Sequence, residues 1–273
     1  MSRPLWLAAV LLAPLACEGP VGDDDDDTTE TGDPMVAIAG GSFELGAVDH
    51  DTKAQPSELP RHEVSISDFR LDRHEVTVAA YGQAVDAGVV EAPTCRLEYA
   101  WQGEHCNWDK TGRDDHPVNG VDWDDANAYC GWRGLRLPTE AEFEYVLRAQ
   151  RPEAVYPWGD EPLPPPDYAN VVGEETETAG TGWEYIPGYE DGFVGSAPVE
   201  TFIEDPWGLF DISGNLWEWV GDWYDADGYD PAAGEDPAGP ASGERKVLRG
   251  AASTACATSC AAPSATTSPR TTG

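Results

Sequence analysis

The second half of the chain limits its possible folds more than any other feature. Beyond Ala149 the sequence is rich in Gly, Pro and Trp and has few periodic apolar runs. Because Gly and Pro interrupt helices and strands, we expect a compact domain with much irregular structure. Its stability must then come from aromatic packing and bound ions. The aromatic side chains near Phe210 are predicted to form core, with a sugar-stacking surface as the alternative: Trp207, Trp217, Trp219 and Trp223.

The first half carries clearer signals for regular structure. Alternating apolar residues predict short half-buried strands around Val36 and Ile38, around Val64 and Ile66, and around Phe69 and Leu71.

Three helices are predicted from their capping residues. Thr77 and Asp122 can each cap a helix with one apolar face. The clearest start is Thr139, which forms a T-x-x-E capping box with Glu142 directly after Pro138. We expect this third helix to be structural.

The amino terminus reads as an export signal. Residues 1–16 combine Arg3, an apolar stretch and a small residue before Cys17, so residues 1–17 are predicted to be a signal of the lipoprotein type, with lipid on Cys17. A permanent transmembrane helix is the weaker alternative, because the apolar stretch is short. Residues 18–34 are polar and acidic and predict an unfolded tether.

The charge balance restricts the partners. The chain of 273 residues has 16 Lys and Arg against 51 Asp and Glu, a formal charge of -35. This charge repels phosphate backbones and anionic lipid, so we predict no nucleic-acid partner and membrane contact only through a lipid anchor. The acidity suits an exported protein that meets divalent cations, although solubility alone also explains it. The length fits one domain.

Several ordered runs resemble the formylglycine-generating-enzyme, or sulfatase-modifying-factor, family. They include GLRLPTEAEFEYVLRA at 134–149, HPVNGVDWDDANAYCGW at 116–132, EDGFVGSAPV at 190–199 and GLFDISGNLWEWVGDWYD at 208–225. The resemblance covers residues 35–250. It implies a single α+β domain of the irregular formylglycine-generating-enzyme fold, which is related to C-type lectins and has much loop structure.

The resemblance also implies two structural calcium sites. The first would use the side chains of Asn170 and Asp191 and the carbonyls of Val171 and Phe193. The second would use Asp211, the carbonyls of Gly214 and Leu216, and the carboxylate of Glu218. Loop carboxylates and carbonyls are the ligands that calcium prefers, but Asp211 and Glu218 can equally satisfy loop amides. The five histidines are scattered without metal-ligand spacing and read as surface or turn residues.

The cysteines suggest one local disulfide. In an exported chain, Cys95 and Cys106 can close the loop between them. Cys130 lies on a predicted helix. Family members with a disulfide at this helix have the partner near the carboxy terminus, in a segment absent here, so Cys130 is expected to be unpaired or simply buried.

The catalytic motif of the family is not intact. The oxidases use two cysteines in GGS(Y/W)-x-C-x4-C, and the corresponding stretch here is RGAASTACATSC. The spacing is one residue short and Ala251 replaces the second glycine. Cys256 and Cys260 are therefore only weak catalytic candidates.

Residues 251–273 form a low-complexity tail of Ala, Ser, Thr, Cys, Pro, Arg and Gly. A packed domain is unlikely to end its core in this way. We hypothesise a frameshift, since loss of one G from a GGC-GGC repeat would convert Arg-Gly-Gly-Ser-Phe-Asp into the Arg-Gly-Ala-Ala-Ser-Thr of residues 249–254.

The sequence favours an exported, lipid-anchored domain, periplasmic or on the outer membrane, with structural calcium and without oxidase activity. Its partner would be a protein or glycan of the cell envelope. The alternative is an oxidase that uses copper or iron to convert a protein cysteine into formylglycine or to oxidise a small thiol. A third reading is a truncated, poorly folding product.

Overall fold

The computed structural model describes residues 17–19, 35–93, 105–148, 151–180 and 185–250, and the backbone alone of 12–13 and 260–263. The fold is α+β, as predicted. The strands are β1 (Leu12–Ala13), β2 (Glu18–Gly19), β3 (Met35–Ile38), β4 (Gly41–Leu45), β5 (His62–Ile66), β6 (Phe69–Asp72), β7 (Trp217–Trp223), β8 (Arg245–Arg249) and β9 (Cys260–Pro263). The helices are α1 (Val78–Asp86), α2 (Trp123–Trp132), α3 (Glu140–Arg148) and the short α4 (Glu175–Thr178).

The strands form three small sheets. The largest has the order β1-β7-β8-β9, a second has the order β2-β6-β3, and β4 pairs with β5. The predicted alternation is confirmed, since Val64 and Ile66 on β5 and Phe69 and Leu71 on β6 are buried. Ile38 on β3 is buried opposite Phe69. Burial on β5 thus follows the period of two, whereas residues 217–220 of β7 are all buried, so that strand is covered on both faces.

All three predicted helix starts are confirmed. The Thr77 hydroxyl accepts from the Ala80 amide, and the Asp122 carboxylate caps α2. At α3, the Glu142 amide donates to Thr139 Oγ1 at 3.1 Å and the Thr139 amide donates to Glu142 Oε2 at 2.6 Å. This is the reciprocal pattern of a capping box. No helix in the described part of the chain is long and apolar enough to cross a membrane.

Indole rings link the helices to the largest sheet. Trp217 and Trp219 are buried, as predicted for core, and Trp207 packs at the edge of the core. Trp219 Nε1 donates to the Val121 carbonyl at 3.1 Å. Trp123 Nε1 donates in the opposite direction, from α2 to β7. These two indoles therefore have the partner that their N–H groups require.

Residues 17–19 belong to the folded domain, which corrects the predicted boundary of the tether. Glu18 is 5% exposed and exchanges two backbone hydrogen bonds with Arg136, whose Nε lies 2.7 Å from Glu18 Oε2. The amide of Cys17 donates to Asp72 Oδ2 at 2.7 Å. A short polar segment is therefore ordered by charge and strand pairing, which its low hydrophobicity did not indicate.

The expectation that Cys130 lacks a partner was wrong. Cys130 is fully buried and forms a disulfide with Cys17, 113 residues earlier in the chain. The family resemblance had indicated a partner near the carboxy terminus, whereas the partner lies near the amino terminus. A sulfur in this disulfide cannot also carry a thioether-linked lipid. Lipidation of Cys17 stays a prediction, and it is an alternative to this bond.

Candidate functional site

The residues of the first predicted calcium site lie together on two loops. Asp191 connects the two loops. Its Oδ2 accepts from the Val171 amide and its Oδ1 from the Phe193 amide, each at 2.8 Å. Asn170 Nδ2 donates to the Gly195 carbonyl at 2.7 Å. Burial raises the pKa of Asp191 to about 6.

A second carboxylate that the sequence did not predict lies beside Asp191. Both oxygens of Glu175 are buried and have no hydrogen-bond partner among the described residues. They lie so close to Gly173 that a Cβ there would be 2.7 Å from each of them. The Glu175 charge adds to the raised pKa of Asp191. The two acidic groups therefore lie close enough to affect each other, and neither forms an ion pair with a basic side chain of the described residues.

Asp211, a predicted ligand of the second calcium site, is 7% exposed. Its Oδ2 accepts from the Glu200 amide at 2.9 Å, while its Oδ1 is buried without a partner among the described residues. Burial raises the pKa of Asp211 to about 6. An orphaned carboxylate oxygen of this kind is costly unless a cation or donor binds it.

Glu75 completes the carboxylate cluster, the name used here for Glu75, Asp211 and Glu218. Glu75 and Glu218 are 2% and 1% exposed. Glu75 accepts from Asn215 Nδ2 at 2.6 Å and from the Leu216 amide at 3.0 Å. Burial raises its pKa well above the ordinary value, and the charges of Glu218 and Asp211 raise it further. Neither Glu75 nor Asp211 forms an ion pair with a basic side chain of the described residues.

The two sites adjoin each other. The Asn215 amide donates to the Asn170 carbonyl at 2.8 Å, and the Gly214 amide donates to the Gly250 carbonyl at 3.0 Å. A Cβ on Gly214 would be 2.5 Å from the Asn170 carbonyl oxygen, and the φ of Gly214 is +124°. Only glycine fits this close approach. The loops of both sites therefore form one connected region.

Side chains alone do not form a metal centre here. Within the described ranges, no group of three or more His, Cys, Asp and Glu side chains is arranged to hold a metal ion. Each predicted calcium site takes half of its ligands from backbone carbonyl oxygens, and a group defined by side chains alone does not include them. The residues missed by sequence reasoning are Glu75 and Glu175. Three glutamates at 174, 175 and 177 follow within seven residues of Asn170, whereas Glu75 has no local signal.

The predicted catalytic and disulfide cysteines are only partly described. Cys256 lies outside the described residues, and of Cys260 the structure describes the backbone, which pairs with Leu248 on β8. Cys106 is disulfide-bonded and 7% exposed. Cys95 lies outside the described residues.

Two of the histidines that were interpreted as surface or turn residues lie at bends of the chain but are buried. His74 and His116 are 7% and 6% exposed. His116 Nδ1 lies 2.9 Å from Arg113 Nη1, and burial, followed by the Arg113 charge, lowers the pKa of His116. This ring therefore acts as an acceptor for the guanidinium.

Comparison with known proteins identifies the family. The sequence model of the sulfatase-modifying factor enzyme 1-like domain matches residues 22–272. The chain belongs to this family. The formylglycine-generating enzyme of Thermomonospora curvata is 35% identical, over 79% of this chain and 81% of that protein. The formylglycine-generating enzyme of Bos taurus is 34% identical, over 79% of this chain and 64% of that protein.

A solved structure supports the fold of the family. PvdO from Pseudomonas aeruginosa superposes with a TM-score of 0.61 at 23% identity, over 85% of this chain and 88% of that chain. This likeness is evidence for the fold alone. The match to the family model and to the relatives confirms the resemblance stated from the sequence. The superposition with PvdO supports the α+β fold.

Proposed function

We propose that this chain is an exported domain of the sulfatase-modifying factor family that is stabilised by calcium and acts by binding in the cell envelope. The proposal depends above all on the carboxylate cluster. Three acidic side chains are buried together, and Asp211 Oδ1 has no partner among the described residues. Bound calcium would supply the missing positive charge and fix the loops that carry the ligands.

The residues present fit calcium at both sites. The second site would use Asp211, the carbonyls of Gly214 and Leu216, and Glu218, with Glu75 close to the ion. The first site would use Asn170, Val171, Asp191 and Phe193, and the orphaned oxygens of Glu175 are available as further ligands. Calcium takes about six to eight oxygen ligands, so carbonyls and waters would complete both shells.

A binding role is favoured over oxidation because of the sequence after Arg249. RGAASTACATSC has one residue too few between its cysteines and has Ala251 in place of a glycine. Two thiolates at a fixed spacing are needed to hold copper and a substrate thiol. The partner would be a protein or glycan of the envelope. The chain would reach the envelope through its predicted signal, with a lipid on Cys17 only where that sulfur is not joined to Cys130.

The second candidate is an oxidase that uses copper or iron. It is favoured by the name of the relatives, because proteins called formylglycine-generating enzyme match most of this chain. In that case this chain would convert a protein cysteine into formylglycine or oxidise a small thiol.

One assay separates the two candidates. The purified full chain, with calcium, is incubated in air with a cysteine-containing peptide and with copper or iron, and the peptide mass is followed. We expect no conversion of the thiol into an aldehyde. Conversion that disappears in a Cys256→Ser, Cys260→Ser double variant would establish the oxidase and overturn the proposal.

Mass spectrometry of the protein from cell envelopes tests the anchor. A diacylglycerol on Cys17 supports the lipoprotein. A peptide that joins Cys17 to Cys130 would instead show that this sulfur is used in the disulfide, and would reject the anchor.

A further inference from the structure

A cavity of about 310 Å³ lies away from both calcium sites. It is bounded by the end of β7, the start of α3 and the loop that follows β7. Tyr224, Tyr229 and Leu45 give it apolar walls, and the carboxylates of Glu140 and Asp222 line it as well. The size and the mixture of apolar walls with a few polar groups are those of a small-molecule site.

The polar groups of the cavity are mainly hydrogen-bond acceptors. Asp222 is 5% exposed, and its Oδ2 accepts from the Glu140 amide at 2.8 Å. Glu140 Oε1 accepts from the Tyr229 hydroxyl at 3.1 Å and lies 3.4 Å from Arg249 Nη1. Burial and the Glu140 charge raise the pKa of Asp222 to about 7.

His62 also lines the cavity. Its Nδ1 lies 2.9 Å from the Pro60 carbonyl, so Nδ1 carries the proton of this hydrogen bond. Nε2 is fully buried, so the ring contributes to the wall of the cavity and not an acceptor inside it.

The nearest lysine is engaged elsewhere. Lys246 Nζ donates to the Gly221 carbonyl at 2.7 Å and lies 3.9 Å from the ring centroids of both Trp123 and Trp223. In the described part of the chain it forms no ion pair with Asp222 within 4.0 Å. Of the two acids in the cavity wall, Glu140 is therefore paired with Arg249, whereas Asp222 forms no ion pair within 4.0 Å with a basic side chain of the described residues.

We propose that this cavity binds a small organic ammonium ion of the alkylamine class. Its N–H groups would donate hydrogen bonds to Asp222, and its alkyl body would pack on Tyr229, Tyr224 and Leu45. Carboxylates stabilise the charge, and aromatic rings attract cations and exclude water. A bare metal ion would leave the apolar walls unused. The site is independent of the calcium sites and of oxidase chemistry.

Calorimetric titration of the calcium-loaded full chain with butylammonium tests the proposal. The matched probe is 1-butanol, which has the same alkyl body and no charge. We expect saturable binding of butylammonium and none of 1-butanol. Equal binding of both, or no binding of butylammonium at millimolar concentrations, would overturn the proposal.

Variants locate the site. Asp222→Asn should weaken butylammonium binding roughly tenfold or more, because one charge-assisted hydrogen bond is lost. Asp86→Asn, which removes the same charge from an exposed position on α1, should leave binding unchanged. An equal effect of the two substitutions would show that only the net charge of the protein attracts the ligand.

A competing occupant is an inorganic cation. Added magnesium or sodium that displaces butylammonium at equal ionic strength, with Asp222 required for both, would replace the proposal with a metal site. If Asp222→Asn fails to fold by circular dichroism, Tyr229→Leu supplies the second variant. It should weaken butylammonium binding by removing a wall and the hydroxyl partner of Glu140.

Discussion

Two groups of buried carboxylates in this molecule differ in where their positive charge comes from. In the arginine-paired cluster, Glu140 and Glu144 lie with Arg148 and Arg249. Burial alone would raise the pKa of Glu144, but Arg249 and Arg148 bring it below the ordinary value. In the carboxylate cluster, the pKa of Glu75 is raised well above the ordinary value.

The comparison shows that burial does not set the charge state of an acid by itself. Glu144 and Glu75 are 1% and 2% exposed, yet their pKa values move in opposite directions. In the arginine-paired cluster, Arg148 and Arg249 supply positive charge to Glu144 from within the chain. Neither Glu75 nor Asp211 forms an ion pair with a basic side chain of the described residues, so we expect a cation from outside to stabilise the charged form of the carboxylate cluster.

The largest expected effect comes from breaking the arginine-paired cluster. Arg249→Met should lower the free energy of unfolding by about 3–5 kcal/mol, because it leaves buried acids without their cation. The control is Arg73→Met, whose half-exposed partners are Glu200 and Glu204, with a loss of about 1 kcal/mol or less. Urea unfolding measures both. Equal losses would mean that the buried pairs are no stronger than surface pairs.

Calcium should stabilise the carboxylate cluster. At a calcium concentration a hundredfold above Kd, the free energy of unfolding should rise by about 2.7 kcal/mol relative to EDTA. Glu218→Gln should lose much of this gain, whereas the exposed Asp86→Asn should keep it. Thermal melts with calcium, magnesium and EDTA provide the measurement. No shift with calcium, or the same shift in Glu218→Gln, would reject the second site.

The pH dependence of stability should reveal the titration of Asp222, an acid at the edge of the arginine-paired cluster. The folded pKa of Asp222, raised by burial and by Glu140 to about 7, lies above its unfolded value of about 4. Glu142 raises it further, and Lys246 lowers it. The folded state therefore holds more protons between these values, so stability falls as pH rises from about 4 to 7.

Asp222→Asn should remove part of that fall, at most about 1.4 kcal/mol per pH unit. Urea unfolding between pH 5 and pH 8 compares the variant with the parent. If the two curves stay parallel, Asp222 is not the titrating group.

The smallest expected effect is on stability in the carboxylate cluster, where the sign of the effect of one substitution depends on calcium. In EDTA, Asp211→Asn should raise stability by about 1 kcal/mol, because it removes one of three like charges and can keep the hydrogen bond from the Glu200 amide. In excess calcium this advantage should shrink or reverse. A loss of stability in EDTA would show that the charged form of Asp211 is already compensated.

The sequence alone determined the local structure and the family. The cap residues Thr77, Asp122 and Thr139 each act on an amide three residues away, so their helix starts could be predicted from short patterns. The family runs likewise named eight calcium ligands, and these stay a prediction; of the first set, Asp191 accepts from the amides of Val171 and Phe193.

Only the tertiary structure decided which distant groups meet. Glu75 reaches Asn215 across 140 positions, and Cys17 reaches Cys130 across 113. The same holds for the arginines, which reach Glu144 and leave Glu75 without a cation among the described residues. Pairing over such separations depends on how the whole chain packs, and no local pattern encodes it. The charge state of each buried acid is therefore a property of the fold.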